Sequence, residues 1–359
     1  MSKIYNFYAG PAVIAEEVLK TAQEELLNFN NTGMSVLEIS HRAAAFDEVI
    51  LEAEANILEL LNLGDDYQVL FLQGGASLQF SMIPMNFLKE GETADYVLTG
   101  SWSEKALKEA KKIGKTHVAF TDSENNYKRV PQDSEIELSQ NPKYVHITTN
   151  NTIYGTEFRT MPKIDAPLIA DMSSDIMSHP FDASKFAMIY AGAQKNLGPS
   201  GVTVVIAKKE FLATAQDVNA TMLKYSTHSE KKSLYNTPPC FSIYLVNLVT
   251  RWLKAQGGLV EVEKNNLKKA QYIYDAIDNS NGYYIGHADK DSRSLMNITF
   301  TMAKTELEKE FVAKAEAEGF IGLKGHRSVG GLRASTYNAL PLEGAKELAD
   351  FMNDFMAKN

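Results

Sequence analysis

The 359-residue chain exceeds the roughly 250–300 residues at which a single core stops growing, so two domains are expected. An apolar content of 44% excludes a disordered chain, and a net charge of −9 argues against a nucleic-acid or anionic-membrane partner. Cys240 is the only cysteine, which excludes a disulfide framework, and the apolar runs are too interrupted for a signal sequence or a membrane span. We therefore expect a cytoplasmic protein without membrane spans.

Helical and strand patterns alternate along the first two thirds of the chain. Helical periodicity predicts helices at 16–29, 45–61, 78–88, 103–114 and 241–255. Short apolar runs bounded by turn residues predict strands at 67–73, 94–100, 116–120, 144–149, 167–171, 187–191 and 202–207. This alternation is typical of an α/β protein with a mostly parallel, seven-stranded sheet covered by helices. The polar segment 122–142 is expected to be a loop.

Gly257 and Gly258 follow the helix at 241–255 and predict a boundary between a large domain and a smaller one. The pattern beyond them has an α+β character. It predicts helices at 260–277, 305–319 and 342–356, and strands at 295–302, 320–324 and 331–336.

Two charged residues, Asp171 and Lys195, each stand where an apolar strand ends, in PLIAD and in AGAQKNLGPSG. Open α/β sheets bind ligands at that end of their strands. An amine can form a Schiff base with the aldehyde of pyridoxal phosphate, and a carboxylate can keep the pyridine nitrogen protonated. Each residue alone is more simply a solvated lysine or a turn aspartate. Together they predict a pyridoxal phosphate site.

Three further residues suit the same cofactor. Ser77, in GGAS, lies between a strand and a helix, where free N–H groups form an anion site for the phosphate. Trp102 begins the next predicted helix and can lay its ring on the pyridine. Thr152 can bond the phenolic oxygen. The simpler interpretations are a tight turn at GGAS and an edge or core position for the tryptophan.

A cationic group comes from distant parts of the chain, each member beside turn or strand-edge residues. Its members are His41, Arg42, His326, Arg327 and Arg333. Arginine binds carboxylate or phosphate in bidentate fashion, and a substrate carrying both groups requires more than one such residue. Any single member is more simply a solvated surface residue. None has the spacing of a metal ligand, so we predict no metal.

Ordered blocks over essentially the whole chain resemble the phosphoserine aminotransferases, which are class-V aminotransferases of the pyridoxal-phosphate fold type I. The matching blocks are NFYAGPA (6–12), ISHR (39–42), LQGGAS (72–77), ADYVLTGSW (94–102), AGAQKNLGPSG (191–201), YNTPP (235–239) and KGHRSVGGLRASTYNALP (324–341). The resemblance implies a large cofactor-binding domain at 16–256 and a small domain made of 1–15 and 257–359.

The resemblance also implies roles for individual residues. Lys195 matches the Schiff-base lysine, Asp171 the pyridine-nitrogen partner, and Trp102 the stacking residue. Thr152 matches the phenolate contact, and the phosphate-side contacts match Ala76, Ser77 and Gln194. Asn236 and Thr237 match residues that reach the neighbouring subunit's cofactor, which implies a homodimer with shared active sites. Arg333 matches the α-carboxylate binder, and the pocket for the substrate phosphate or glutamate side chain matches His41, Arg42, His326 and Arg327.

The implied reaction transfers an amino group between L-glutamate and 3-phosphohydroxypyruvate in serine biosynthesis. 4-Phosphohydroxythreonine, on the route to pyridoxine, has the same two anionic groups. Two departures affect contacts: Tyr8-Ala9 stands where some relatives have serine, and GGAS replaces GGGR. The alternatives are an alanine:glyoxylate or serine:glyoxylate aminotransferase, a cysteine desulfurase-like lyase, for which Cys240 is poorly placed, and a non-catalytic cofactor-binding protein.

Overall fold

The computed structural model describes residues 3–218 and 220–359. The helices within these ranges are α1 (Glu16–Glu25), α2 (Ala44–Leu60), α3 (Gly75–Phe87), α4 (Ser101–Ala110), α5 (Lys209–Leu212), α6 (Tyr225–Glu230), α7 (Cys240–Ala255), α8 (Gly258–Asp278), α9 (Glu308–Ala317) and α10 (Leu342–Lys358). The strands are β1 (Tyr5–Asn6), β2 (Tyr67–Leu72), β3 (Thr93–Leu98), β4 (Lys115–Thr121), β5 (Val145–Thr148), β6 (Asn150–Asn151), β7 (Thr156–Glu157), β8 (Leu168–Asp171), β9 (Phe186–Gly192), β10 (Thr203–Lys208), β11 (Tyr284–Gly286), β12 (Asn297–Met302), β13 (Phe320–Ile321) and β14 (Leu332–Ser335).

The main sheet has seven strands in the order β2-β10-β9-β8-β5-β3-β4. Only β10 runs antiparallel to its neighbours, β2 and β9. The connection from β9 to β10 spans only 193–202, which is too short for a crossover helix, so β10 returns beside β9 in the opposite direction. The sequence-based prediction of an α/β fold with a mostly parallel seven-stranded sheet is therefore confirmed.

Alternation along the strands gives the sheet two apolar faces. Ile147, Ala170 and Ile189 point into one cluster with α2 and α7, while Ile169 and Tyr190 point into another cluster with α3 and α4. Successive side chains of a strand point to opposite faces, so a run that is apolar throughout must be covered on both sides. The strand ends are thereby left as the place where polar side chains meet.

A third apolar cluster lies around the antiparallel sheet β11-β12-β14 and the helices α9 and α10. Tyr5 and Phe7 belong to it, because β1 pairs with β13 in parallel, Tyr5 opposite Phe320. Helix α8 joins both regions: Leu259 and Val262 lie in the large cluster, and the later turns of the helix lie in the third. The domain limits, 16–256 for the large domain and 1–15 with 257–359 for the small one, stay a prediction.

Several predicted elements end elsewhere in the structure. The first helix ends at Glu25 rather than at residue 29, because the chain turns through Asn30 and Asn31 at positive φ, which leaves Leu27 84% exposed. Helix α3 begins at Gly75, three residues before the prediction. The strand predicted at 320–324 ends at Ile321, before Gly322 at φ 90°. No helix within the described ranges is both long and apolar enough to cross a membrane.

Candidate active site

A cavity of about 330 Å³ lies at the carboxyl ends of the central strands. Nine of the residues selected from the sequence line this one cavity: Ala76, Ser77, Trp102, Thr152, Asp171, Gln194, Lys195, His326 and Arg333. They come from seven separate segments of the chain. Five of these segments end or follow strands of the main sheet, and the other two, with His326 and Arg333, lie between β13 and β14 and on β14. The amine and the carboxylate predicted from the two strand ends therefore face a common space.

Lys195 stands in the turn that follows β9, and Gly10 packs against its side chain. Gly10 has a φ of 135°, which favours glycine, and a Cβ there would only be in van der Waals contact with Lys195 Cγ, at 3.4 Å. Lys195 Nζ donates a hydrogen bond to Thr152 Oγ1 at 2.7 Å. Burial lowers the pKa of the amine to about 8, and the nearby Asp171 charge opposes that shift. The neutral fraction of this amine near physiological pH is thus far larger than that of an ordinary lysine, although the protonated form still predominates.

Asp171 is the last residue of β8, with Thr148 and Tyr190 opposite it on the neighbouring strands. Its side chain is 5% exposed, and Oδ1 accepts a hydrogen bond from Ser173 N at 2.9 Å. Burial raises the pKa of the carboxyl group, whereas the Ser173 contacts and the charge of Lys195 lower it. A protonated ring nitrogen beside this carboxylate would supply the cation that the buried charge requires.

A neutral pair lies on the same face of the sheet behind Asp171. His146 Nε2 and Tyr190 Oη are 2.8 Å apart, and both side chains are buried. Burial lowers the pKa of His146 to about 3 and raises the pKa of Tyr190, so neither group is ionised at neutral pH. These two side chains therefore bring no second charge to the carboxylate, which leaves it available to a ligand in the cavity.

The first turn of α3 borders the cavity through Gly75, Ala76 and Ser77. Gly74 precedes it at φ 91°, and a Cβ there would lie 2.5 Å from Leu78 Cδ2, so only glycine permits this turn. The free N–H groups of a helix N-terminus form an anion site. This turn is thus suited to a phosphate group.

Trp102 lies in the first turn of α4, where Ser103 Oγ accepts hydrogen bonds from Thr99 N and Gly100 N. These bonds fix the first turn of α4 and thereby the position of the residue that carries the indole ring. Lys105 Nζ lies 3.9 Å from the centre of the indole ring. Trp102 Nε1 is buried and has no hydrogen-bond partner among the described residues. The ring presents a flat aromatic wall to the cavity.

Arg333 brings positive charge to the cavity, and His326 lines the same cavity. Arg333 lies on β14, and its Nη1 donates to the Thr152 carbonyl at 2.9 Å. His326 Nδ1 lies 2.6 Å from Ser328 Oγ. Burial and the charges of Arg333, Arg327 and Lys105 all lower the pKa of His326. This concentration of cations around one imidazole marks a site for an anionic ligand.

Five predicted site residues do not line this cavity: His41, Arg42, Arg327, Asn236 and Thr237. Arg42, Arg327 and Thr237 are exposed, and the other two are half-buried. Asn236 instead borders a separate cavity of about 110 Å³. The single chain therefore brings together nine of the fourteen predicted residues.

The sequence-based selection missed other lining residues, among them Thr148, Asn150, Ser173 and Ser174. Asn150 Nδ2 donates to Ser174 Oγ at 2.9 Å and to Asn297 Oδ1 at 2.8 Å. The sequence signal for these residues was the polar run TTNNT (148–152), which begins with the last residue of β5 and is longer than a simple turn requires. Only Thr152 was selected from it.

The residues of the cavity fit pyridoxal phosphate. They supply an amine, a carboxylate, an aromatic wall and a helix N-terminus around one space of about 330 Å³. Trp102 Nε1 and Thr148 Oγ1 are buried polar atoms without partners in the part of the chain that the structure describes. Such atoms are costly unless a ligand or water satisfies them. No group of three or more metal-ligating side chains occurs within the same part of the chain.

Comparison with known proteins supports this interpretation. The family model of the class-V aminotransferases matches residues 4–348. The chain is 57% identical to phosphoserine aminotransferase of Lysinibacillus sphaericus over 358 residues, 99% of each chain, and 54% identical to that of Bacillus subtilis over the full length of both.

Solved structures agree with the sequence relatives. Phosphoserine aminotransferase from Bacillus circulans subsp. alkalophilus superposes with a TM-score of 0.97 at 56% identity, over 99% of each chain. The pyridoxal-phosphate-bound enzyme from Trichomonas vaginalis gives 0.92 at 37% identity, over 98% of this chain and 99% of that one. An alanine–glyoxylate aminotransferase from Nostoc, at 15% identity and a TM-score of 0.75, covers 99% of this chain and 95% of its own and shares the fold.

Proposed function

The chain belongs to the class-V aminotransferase family, and from this premise we propose that it is a phosphoserine aminotransferase with pyridoxal phosphate as cofactor. It transfers an amino group between L-glutamate and 3-phosphohydroxypyruvate, giving 2-oxoglutarate and O-phospho-L-serine. The observation that carries the proposal is the shared cavity of Lys195, Asp171 and Arg333. Full-length identity of 57% to an enzyme of this name sets the substrate.

Bound pyridoxal phosphate supplies an aldehyde and a ring that accepts electrons. Lys195 is the proposed covalent attachment point and, once free, the base that moves a proton at the substrate Cα. Its pKa of about 8 suits both tasks, because the neutral amine is the reactive form. The 2.7 Å bond to Thr152 Oγ1 holds the amine at the cavity.

Asp171 is the proposed partner of the ring nitrogen, and Trp102 the proposed stacking residue. We assign the phosphate to the first turn of α3, with Ala76, Ser77 and Gln194 beside it. GGAS supplies backbone N–H groups and one hydroxyl there, so the phosphate site does not require the arginine found in GGGR relatives.

Arg333 is the proposed binder of the substrate α-carboxylate. Its bond to the Thr152 carbonyl uses one N–H of the guanidinium and leaves the remaining donors for a carboxylate. His326 and Arg327 lie in one loop and suit the second anionic group, the phosphate of phosphoserine or the side-chain carboxylate of glutamate. A substrate with two anionic groups thus meets cations at two points.

A homodimer with shared active sites explains why the remaining site residues lie elsewhere. We infer that His41, Arg42, Asn236 and Thr237 complete the cavity of a second copy. Apolar exposure supports this: Leu27 is 84% and Leu37 is 62% exposed, and both lie in the segment that leads to His41. A subunit contact that covered these two leucines would remove their apolar surface from water. We also propose a cytoplasmic location, consistent with the single, unpaired Cys240.

A cysteine desulfurase-like activity requires a mobile nucleophilic cysteine. Cys240 begins α7, its Sγ lies 3.4 Å from the Pro238 carbonyl, and burial raises the pKa of the thiol. A raised pKa reduces the thiolate fraction, so this cysteine is a poor nucleophile. It is also absent from the lining of the cavity.

Turnover on competing amino donors tests the proposal. The purified protein with cofactor should convert O-phosphoserine and 2-oxoglutarate at a kcat/KM at least about 100-fold above that for alanine with glyoxylate. Cysteine should release no sulfide. 4-Phosphohydroxythreonine, which carries the same two anionic groups, is the second substrate that we propose and should be compared in parallel. Equal rates on alanine and O-phosphoserine would contradict the assignment.

A further inference from the structure

Helix α8 carries a buried lysine that the proposed chemistry does not use. Lys269 is 1% exposed, and its Nζ donates to three backbone carbonyls, those of Thr336 at 3.0 Å, Tyr337 at 2.7 Å and Asn338 at 3.3 Å. A buried ammonium group is costly unless its N–H groups are bonded. Here the three donors of the ammonium match the three carbonyls that follow β14.

The segment held by Lys269 connects two parts of the active site. It directly follows β14, which carries Arg333. At its other end, Asn338 N donates to Asn196 Oδ1 at 3.0 Å, and Asn196 is the neighbour of Lys195 in the chain. A short path of backbone and hydrogen bonds thus joins the guanidinium that faces the substrate to the turn that carries the amine.

The side chain of Asn338 strengthens this connection. Its Nδ2 donates to the Met177 carbonyl at 2.9 Å, and its Oδ1 accepts from Asn266 Nδ2 at 2.9 Å. Asn196 Nδ2 in turn donates to the Ile176 carbonyl at 3.1 Å. We call Asn196, Asn266, Lys269 and Asn338 the Asn338 network. It ties α8, the segment after β14 and the turn at 176–178 to the lysine turn.

Arg333 and Lys195 lie in parts of the chain that pack into different apolar clusters. Leu332 and Ala334 beside Arg333 belong to the cluster of the small sheet, whereas Ala193 and Leu197 beside Lys195 belong to the cluster of the main sheet. Apolar contacts are non-directional and do not set the distance between two polar groups across such a boundary. Hydrogen bonds with defined geometry do.

We propose that Lys269 and Asn338 are positioning residues for amino transfer, which fix Arg333 relative to Lys195 through the Asn338 network. This inference rests on the proposed function. A misplacement of about 1 Å between a substrate-binding group and a catalytic group costs on the order of 100-fold in rate. Beside the contacts of Thr152 with both groups, the network is a second polar link that opposes such a displacement.

The test compares Asn338→Ala and Lys269→Met with Lys268→Met, which removes an exposed lysine of the same helix. We expect kcat on O-phosphoserine to fall about tenfold in both network variants. The KM for O-phosphoserine should change less. Lys268→Met should match the wild type. Asn338→Ala removes the bonds of its side chain to Met177 and Asn266 and keeps the backbone contacts to Lys269 and Asn196, so it tests the role of the Asn338 side chain even if Lys269→Met does not fold.

A second measurement separates positioning from stability alone. The visible absorbance of the holoenzyme, titrated with pH, reports the ionisation of the linkage between Lys195 and the cofactor. A shift of its midpoint by about half a pH unit in Asn338→Ala, with none in Lys268→Met, is expected because the charges around Lys195 move. A folded Asn338→Ala protein with wild-type kcat and midpoint, even at a lower Tm, would overturn the proposal. If the wild type itself fails on O-phosphoserine, the proposed function fails, and the midpoint alone then decides on the network.

Discussion

Thr152 bonds both Lys195 and Arg333: its hydroxyl accepts from Lys195 Nζ at 2.7 Å, and its carbonyl accepts from Arg333 Nη1 at 2.9 Å. One residue thus contacts the proposed attachment amine and the proposed carboxylate-binding group. It directly follows β6, a strand of two residues that pairs with β7. The short hairpin fixes the backbone from which both contacts are made.

The hydroxyl of Thr152 should contribute to cofactor affinity independently of the volume of the side chain. Thr152→Val keeps the volume and removes the hydroxyl, and we expect cofactor affinity to fall about fivefold, as for the loss of one hydrogen bond of roughly 1 kcal/mol. Thr152→Ser keeps the hydroxyl and should stay near the wild type. Equilibrium dialysis with pyridoxal phosphate measures both. Equal affinities of the valine and serine variants would show that Thr152 acts only through its backbone.

Lys195→Ala should bind the cofactor without a covalent bond and lose at least about a thousandfold in turnover, because both the nucleophile and the proposed base are removed. Mass spectrometry after borohydride reduction detects the bond to the lysine, and a coupled assay follows turnover. Lys185→Ala, at an exposed lysine, is the matched control. Retention of substantial turnover in Lys195→Ala would exclude the assigned role.

The capture of pyridoxal phosphate by the cofactor-free protein should depend on pH through Lys195. Only the neutral amine attacks the aldehyde, so the capture rate should rise by about tenfold per pH unit below its pKa and level off above it. Since burial lowers that pKa to about 8, the plateau should begin near pH 8 rather than above pH 10. The charge of Asp171 opposes this lowering, so Asp171→Asn should move the plateau to still lower pH. Stopped-flow absorbance gives the profile, and a plateau unchanged in Asp171→Asn would contradict the coupling.

If Trp102 stacks on the cofactor ring, the affinity for the cofactor should fall with the amount of aromatic ring that a substitution removes. Aromatic stacking contributes about 0.5–1.5 kcal/mol beyond buried area, so Trp102→Ala should weaken cofactor binding about tenfold, and Trp102→Phe should do so less. Trp252 lines a different cavity, so Trp252→Phe should leave the affinity for the cofactor unchanged. Titration of bound cofactor by absorbance measures all three. An alanine variant that binds as well as the phenylalanine variant would argue against stacking.

Mixing of inactive subunits tests the shared-site homodimer. If Arg42 serves the neighbouring cavity, a hybrid of a Lys195→Ala subunit and an Arg42→Ala subunit contains one intact site and one doubly altered site. Random mixing should then restore about one quarter of the wild-type activity. If Arg42 serves its own subunit, both sites of the hybrid remain defective and no activity returns. Co-refolding followed by the turnover assay distinguishes the two.

The main sheet and the central pair of the site were accessible from the sequence because their signals are local. Asp171 and Lys195 each close an apolar run, and such runs are strands whose polar ends meet at one edge. Strands that alternate with helices run parallel, so the residues at their carboxyl ends become neighbours at one edge of the sheet. For these two residues, therefore, pattern and geometry agree.

Other features depend on contacts that no local pattern reveals. Helical spacing from Val262 and Ile273 places Lys269 on the buried face of its helix, but nothing in the sequence indicates that its amine bonds backbone carbonyls. The hydrogen bond between Asn150 and Asn297, which are far apart in the sequence, is likewise not indicated by any local pattern. The end of α1 was misjudged because Leu26 and Leu27 continue the helical apolar pattern, whereas the asparagines beyond them favour a turn.

The pairing of Tyr5 with Phe320 sets an order of events during synthesis. The main sheet, at 67–208, can assemble while the ribosome is still translating the remainder of the chain. Strand β1 must wait, unpaired, until residue 320 has emerged. Strand β1 therefore stays without its partner long after the strands of the main sheet have theirs, and its incorporation depends on the completion of the small-domain sheet region.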